Sequence, residues 1–172
     1  MVRALPGLTV AELTRELGSR TRALETLKWL YAQRPLTATL PDAVPGVAQR
    51  AWRPFAARHG LTTPRVMERS VSVDGTTKFA LGFEDARVET VLIPAKARST
   101  VCISSQAGCT RRCTFCATKD LGFTRHLKAE EMVAQFLVAR AEAPARQPAT
   151  NVVFMGMGEP MDNLDEVLQA VE

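Results

Sequence analysis

Apolar positions recur with a helical period through the first third of the chain and with a strand period after it. In "LTVAELTRELG" the spacing predicts a short helix, with Thr9 as cap, Glu12 as its capping-box partner and Gly18 as the stop. A second helix is predicted over "SRTRALETLKWLYAQRP", where Leu24, Leu27 and Tyr31 share a face and Pro35 follows the end. "PGVAQRAWRPFAARHG" suggests a third, interrupted by Pro54. From Val66 the period becomes two. "VMERSVSVDGTTKFALGF" alternates on both sides of Asp74-Gly75, with Phe79, Leu81 and Phe83 on one face, and predicts a β-hairpin. "RVETVLIP" continues as a strand to Pro94. After residue 98 the order is strand, loop, helix, strand, loop, helix. "STVCISS" is the first strand, and "LKAEEMVAQFLVARAEA" is a helix with Met132, Val133, Phe136 and Leu137 inward and Glu130 and Glu131 in its first turn. "AEAPARQPAT" connects it to "NVVFM", an apolar strand expected to be covered on both faces, and a last helix begins near Leu164. Such βαβα order predicts a parallel sheet with ligands at the carboxyl ends of its strands, where the loops after both strands should converge.

Apolar residues make up 46% of the 172, which supports a packed core and excludes wholesale disorder. No run of about 18 uncharged apolar residues occurs, and the start "MVRALPGLTVAELTREL" lacks a secretory signal, so a cytoplasmic address with no membrane partner is expected. Up to residue 100 there are 15 Lys and Arg against 9 Asp and Glu, a balance of +6, whereas the remainder has 7 against 9, or −2. A basic front half suggests a polyanionic partner, although a solvated surface accounts for it equally well.

All four cysteines fall between residues 102 and 116. In a reducing compartment such a cluster points to a metal rather than to a disulfide scaffold. Cys109, Cys113 and Cys116 form C-x3-C-x2-C, which lets one loop wrap three thiolates around a compact inorganic core. Three ligands leave one iron of a [4Fe-4S] cube open to a further ligand, as catalytic metal sites do. The alternative is a structural zinc with Cys102 as fourth ligand, but zinc ribbons bring together two C-x2-4-C pairs, and Cys102 lies seven residues upstream on a predicted strand.

With an aromatic, Phe115, before the last cysteine, this motif resembles that of the radical S-adenosylmethionine enzymes, and "GMGEP" resembles their glycine-rich element. "KWLY", "VETVLIP", "CISSQAGCTRRCTFCAT", "LGFTRHL" and "NVVFMGMGEPMDN" together resemble the RNA adenine-C2 methyltransferases of the RlmN/Cfr family over residues 28 to 163. The resemblance implies an α/β fold: a partial, truncated radical-SAM (β/α) barrel over 99–172, a β-hairpin and strand over 65–98, and a small helical accessory RNA-binding domain over 1–64.

It also implies roles. Cys109, Cys113 and Cys116 would hold the [4Fe-4S] cluster, whose open iron chelates S-adenosylmethionine, and reductive cleavage then gives a 5′-deoxyadenosyl radical. Gly158 and Glu159 match the pair that meets the methionine end of the cofactor, which suits a carboxylate facing an ammonium and a glycine allowing close approach. Cys102 matches the thiol that forms a transient disulfide with a methyl-carrying cysteine near the family's C-terminus, and no cysteine follows Cys116. On its strand Cys102 shares a face with Ser104, which suggests that it points into a polar cavity, whereas a small buried core thiol is the plain reading. Glu89 matches the acid given a proton-transfer role; it shares a face with Val91 and Ile93, apolar surroundings expected to raise its pKa.

Implied partners are 23S rRNA, with tRNA as a further substrate, and an electron donor such as flavodoxin; a monomer is the default. Arg111, Arg112, Lys119, Arg125, His126 and Lys128 crowd the cysteine loop, where phosphates could lie. The family's barrel needs about six strand–helix units, so this chain is expected to be an N-terminal fragment without methyl-transfer activity of its own. A non-catalytic RNA-binding module with a structural metal, or a radical enzyme acting at C8 or on another substrate, are the alternatives.

Overall fold

The structure, a computed structural model, describes residues 4–172. Residues 1–3, the first of the expected accessory domain, lie outside it. Three helices open the chain: α1 (Val10–Leu17), α2 (Arg20–Ala32) and α3 (Gln49–Ala56). The capping box forms at α1, where the Glu12 amide donates to Thr9 Oγ1 at 3.2 Å and the Thr9 amide to Glu12 Oε2 at 2.9 Å. Gly18 ends the helix at φ 68°. On α2 the inward face is Ala23, Thr26 and Leu30; Leu24 is exposed, so the expected Leu24–Leu27–Tyr31 face is turned by about one residue. Pro54 lies inside α3 instead of interrupting it. The amide it lacks would have bonded one turn back, and the helix ends two residues later.

Five strands form one mixed sheet in the order β1 (Arg65–Val71), β2 (Thr77–Gly82), β3 (Arg87–Pro94), β4 (Ser99–Cys102), β7 (Ala149–Val153). The hairpin and "RVETVLIP" pair antiparallel with one another and with β4, so only β4 and β7 realise the expected parallel sheet. In the hairpin turn Gly75 takes φ 85°, while Asp74 keeps a negative φ and its carboxylate accepts the Thr76 amide at 2.9 Å. Helix α4 (Ala129–Glu142) crosses from β4 to β7, and α5 (Leu164–Val171) packs beside it.

Helix α4 unites the two parts of the molecule. Met132 enters the sheet core with Phe79, Leu81, Val88, Leu92 and Val101. Val133 and Leu137 enter the helical core with Leu13, Leu30, Trp52 and Phe55, and Phe136 touches both. The expected inward residues of α4 therefore serve two cores, not one. Strand β7, expected to be covered on both faces, is largely exposed because it is the outer strand of this sheet among the described residues.

On β3, Val88, Thr90 and Leu92 are buried in the core, leaving Glu89, Val91 and Ile93 on the opposite face. The register pairs Val91 with Cys102 and Cys102 with Val153, which puts this thiol on the same face as Glu89. Between sheet and α4 sits the fully buried Gln135. Its Oε1 accepts from Thr90 Oγ1 at 2.9 Å and from the Ser104 amide at 2.8 Å, and its Nε2 donates to the Ser104 carbonyl at 3.0 Å. Gln135→Leu strands all three groups in the core. The expected cost is about 2–3 kcal/mol, read as a fall of roughly 5–10 °C in the thermal midpoint.

Candidate functional site

Residues 103–106 leave the sheet through a polar segment, Ser104-Ser105-Gln106, that is fully or almost fully buried. Strand β5 (Gln106–Gly108) then pairs antiparallel with β6 (Phe123–His126), an element pair not foreseen from the sequence. This pair closes the base of the loop carrying Cys109, Cys113 and Cys116, and the Cys109 amide donates to the Gly122 carbonyl at 2.9 Å. Gly108 has φ 76°, and a Cβ there would stand 1.9 Å from the Gly122 oxygen. Only glycine admits this approach.

All four cysteines are free thiols, and no disulfide joins any two of them. Within the loop the Arg111 amide donates to Cys109 Sγ at 3.3 Å, and the Cys116 amide to the Cys113 carbonyl at 3.1 Å. The Thr118 hydroxyl and amide hold the Cys116 thiol below its ordinary pKa, favouring the thiolate that binds metal. Among the described residues no three His, Cys, Asp or Glu side chains are gathered closely enough to hold a metal ion. The donor set fits an iron–sulfur cluster in its chemistry: three soft ligands on one surface loop, with backbone amides among them.

The loop after β7 runs alongside the same polar segment. The Gly156 amide donates to the Ile103 carbonyl at 3.1 Å, the Met157 amide to Ser104 Oγ at 2.9 Å, and the Ser105 amide to the Met157 carbonyl at 2.9 Å. Gly158 takes φ 100°, and a Cβ there would stand 2.6 Å from Gln106 Cβ. Glu159 donates its amide to Gln106 Oε1 at 3.0 Å, and its carboxylate accepts the Met161 amide at 3.0 Å. Asn163 Nδ2 bonds the Ser105 and Leu127 carbonyls, each at 2.8 Å. Asp162 accepts from the Thr110 hydroxyl and the Arg111 guanidinium, which hold its carboxyl below the usual range. The two loops converge as the strand order predicts.

Glu89 departs from expectation. Its side chain is 49% exposed and forms an ion pair with Lys78 Nζ at 2.9 Å, so the apolar setting predicted for it is absent. The reason is the neighbouring strand, whose Lys78 points to the same face. The pair lines a cavity of about 620 Å³ that Gly108, Thr118, Leu121 and Met157 also border, linking the sheet face to the cysteine loop. Cys102 is buried between Val91 and Val153 and does not line that cavity, in contrast to the polar surroundings expected for it. Burial pushes its thiol up, against a smaller opposing effect of the Met155 backbone.

Two of the basic residues expected to face phosphates are held in ion pairs, and Lys119 donates to the Thr114 carbonyl at 3.2 Å. Arg111 is paired with Asp162, and Arg125 binds Glu131 Oε1 and Asp85 Oδ1, each at 2.7 Å. The Arg125 contact holds Asp85 below the usual carboxylate range. A depressed native pKa means a contribution that is complete above the unfolded value and lost as pH falls through the native one. The urea midpoint is therefore expected to drop on going from about pH 5 to about pH 3, and to drop less in Asp85→Asn. Gln106, Asp162 and Asn163 escaped prediction; their sequence signal is limited to polar residues standing where the chain leaves an apolar strand.

A family model described as the radical SAM superfamily matches residues 103–172. A protein from Chlorobium phaeobacteroides (strain BS1), "Probable dual-specificity RNA methyltransferase RlmN", is 54% identical over 111 residues, which are 62% of this chain and 31% of that protein. A crystal structure of a radical SAM methyltransferase from Sphaerobacter thermophilus superposes with a TM-score of 0.80 at 38% identity, over 98% of this chain and 51% of that one. The match thus spans 31% of the length of the first relative and 51% of that of the second.

Proposed function

We infer that this chain, which belongs to the RlmN-like radical SAM family as an N-terminal part of it, supplies the cluster-holding and cofactor-facing portion of an RNA (adenine-C2) methyltransferase. The observation that carries this reading is the meeting of the cysteine loop with the glycine-rich loop, whose Thr110 and Glu159 amides share one acceptor, Gln106 Oε1, at 3.4 and 3.0 Å. When bound, a [4Fe-4S] cluster and S-adenosylmethionine supply the electron and the radical chemistry.

The chain's own residues have separate tasks. Cys109, Cys113 and Cys116 hold the cluster, and the lowered thiol of Cys116 eases its ligation. Gly158 lets the backbone approach the methionine end of the cofactor, and Glu159 accepts from its ammonium, exchanging the Met161 amide for a charged donor. Glu89, held by Lys78 at the rim of the cavity, moves the proton of the reacting ring carbon. Cys102 resolves the RNA–protein crosslink of the complete enzyme: its sulfur attacks that of the methyl-carrying cysteine, a disulfide forms as the bond from that sulfur to the transferred carbon breaks, and the carbon keeps the electron pair and takes up a proton.

On this reading 99–172 begins a partial (β/α) barrel, 65–98 extends its sheet, and the helices up to residue 64 form the accessory domain that grips RNA. The substrates are adenines of 23S rRNA and tRNA, the electron donor is of the flavodoxin class, and the enzyme works as a cytoplasmic monomer. No helix among the described residues is long and apolar enough to cross a membrane. Anaerobic reconstitution with iron and sulfide tests the reading. A brown protein with broad visible absorption is expected; a colourless one carrying one zinc per chain would overturn it. The chain by itself is expected to transfer no methyl group to 23S rRNA.

A further inference from the structure

We propose that Gln106 and Asp162 form a polar clamp that fixes the separation of the cysteine loop and the glycine-rich loop before any cofactor binds. What the two loops hold rests on the functional reading above; the clamp itself is a property of this chain. Gln106 is fully buried. Its Oε1 accepts the Thr110 amide at 3.4 Å and the Glu159 amide at 3.0 Å, one from each loop. Two donors on the oxygen fix the orientation of the amide, so its Nε2 faces His126 Nδ1 at 3.2 Å. The space that a Cβ on Gly158 would need is already filled by Gln106, whose Cβ and amide nitrogen stand 2.6 and 2.7 Å from that position. The glycine loop therefore lies directly against the Gln106 backbone.

Asp162 closes the clamp from the opposite loop. Its two carboxylate oxygens take the Thr110 hydroxyl and the Arg111 guanidinium, the two residues after the first cysteine. Thr110 is thus held through its main chain by Gln106 and through its side chain by Asp162. A single oxygen bonds both loops only while they keep one spacing. A ligand that touches both loops is bound tightly when that spacing is set in advance. Gln106 and Asp162 are positioning residues; neither needs to touch the reacting atoms.

Hydrogen–deuterium exchange of the cluster-free 172-residue chain tests the clamp. In Gln106→Met, exchange in peptides spanning 109–116 and 156–163 is expected to accelerate together by about three- to tenfold, with β2 and α4 peptides unchanged. Gln106→Glu retains the acceptor oxygen for both loop amides but loses the Nε2 donor facing His126, and is expected to accelerate both segments less than Gln106→Met. Asp162→Asn keeps an acceptor for Thr110 but loses the ion pair, and about two- to threefold acceleration in both segments is expected. Acceleration confined to the loop carrying the substitution, or none, would overturn the clamp. If Gln106→Met does not fold, Asp162→Asn decides the matter. After reconstitution, Gln106→Met is expected to hold as much iron as wild type and to bind S-adenosylmethionine about tenfold more weakly; unchanged affinity in a loosened variant would overturn the clamp's role in cofactor binding. Failure of the wild-type chain to take up iron would remove the functional reading, and the paired exchange response would still uphold or overturn the clamp.

Discussion

Alanine at Gly108 is expected to lower the stability of the chain by about 4 kcal/mol, the largest effect of any single methyl group here. Two costs add. The φ of 76° is unfavourable for any residue with a Cβ, by roughly 1–2 kcal/mol. The new carbon would also stand 1.9 Å from the Gly122 oxygen, 2.8 Å from the Gly122 carbonyl carbon and 3.1 Å from Phe123 Cα. All three are backbone atoms, so no side-chain rotation relieves the clash. Relief requires separating β5 from β6 and breaking the 2.9 Å bond from the Cys109 amide to Gly122. Gly122 provides the control, because its φ is 72° and nothing lies within 4 Å of its would-be Cβ. Gly122→Ala should therefore cost only the conformational part, about 1 kcal/mol. Urea unfolding of both variants separates the two costs, and equal losses would refute the steric account.

Removing any one of Cys109, Cys113 and Cys116 is expected to abolish cluster uptake, from about four irons per reconstituted chain to less than about one. Cys113 is exposed and the other two are half-buried, so alanine at these positions should leave the thermal midpoint almost unchanged. Loss of iron would then report ligation and not unfolding. Cys102→Ala is the decisive comparison. Cys102 sits in β4, in register with Val91 and Val153, and its thiol is pushed up by burial. It should retain wild-type iron and lose about 1 kcal/mol of stability for the small cavity left. If iron falls in Cys102→Ala as far as in the other three, a four-thiolate site is established and the open cluster is excluded.

Much of this was legible along the chain. The capping box of α1, the two ends of β3 and the inward stripe of α4 follow from spacing alone, because capping and amphipathic burial depend on residues within one or two turns. That the loop of three cysteines meets the loop of Gly158 and Glu159 was likewise readable, since one short segment carries each motif and both follow strands of one sheet. Misreadings had a common cause. Leu24 faces outward because the helical core is completed by Val133 and Leu137, which lie more than a hundred residues away. Glu89 meets Lys78 instead of an apolar wall because strand pairing, not strand pattern, selects its neighbours.

By itself, then, the sequence determined most of the elements, the gathering of three thiols in one loop and the two loops that converge, as local periodicity and covalent spacing suffice for those. Tertiary structure alone decided how the loops are joined. Gln106, Gln135, Asp162 and Asn163 have no distinctive local pattern, and each gains a partner from a segment 31 to 58 residues distant. A buried amide or carboxylate is defined by the donors that folding brings to it, and no stretch of the chain announces those in advance.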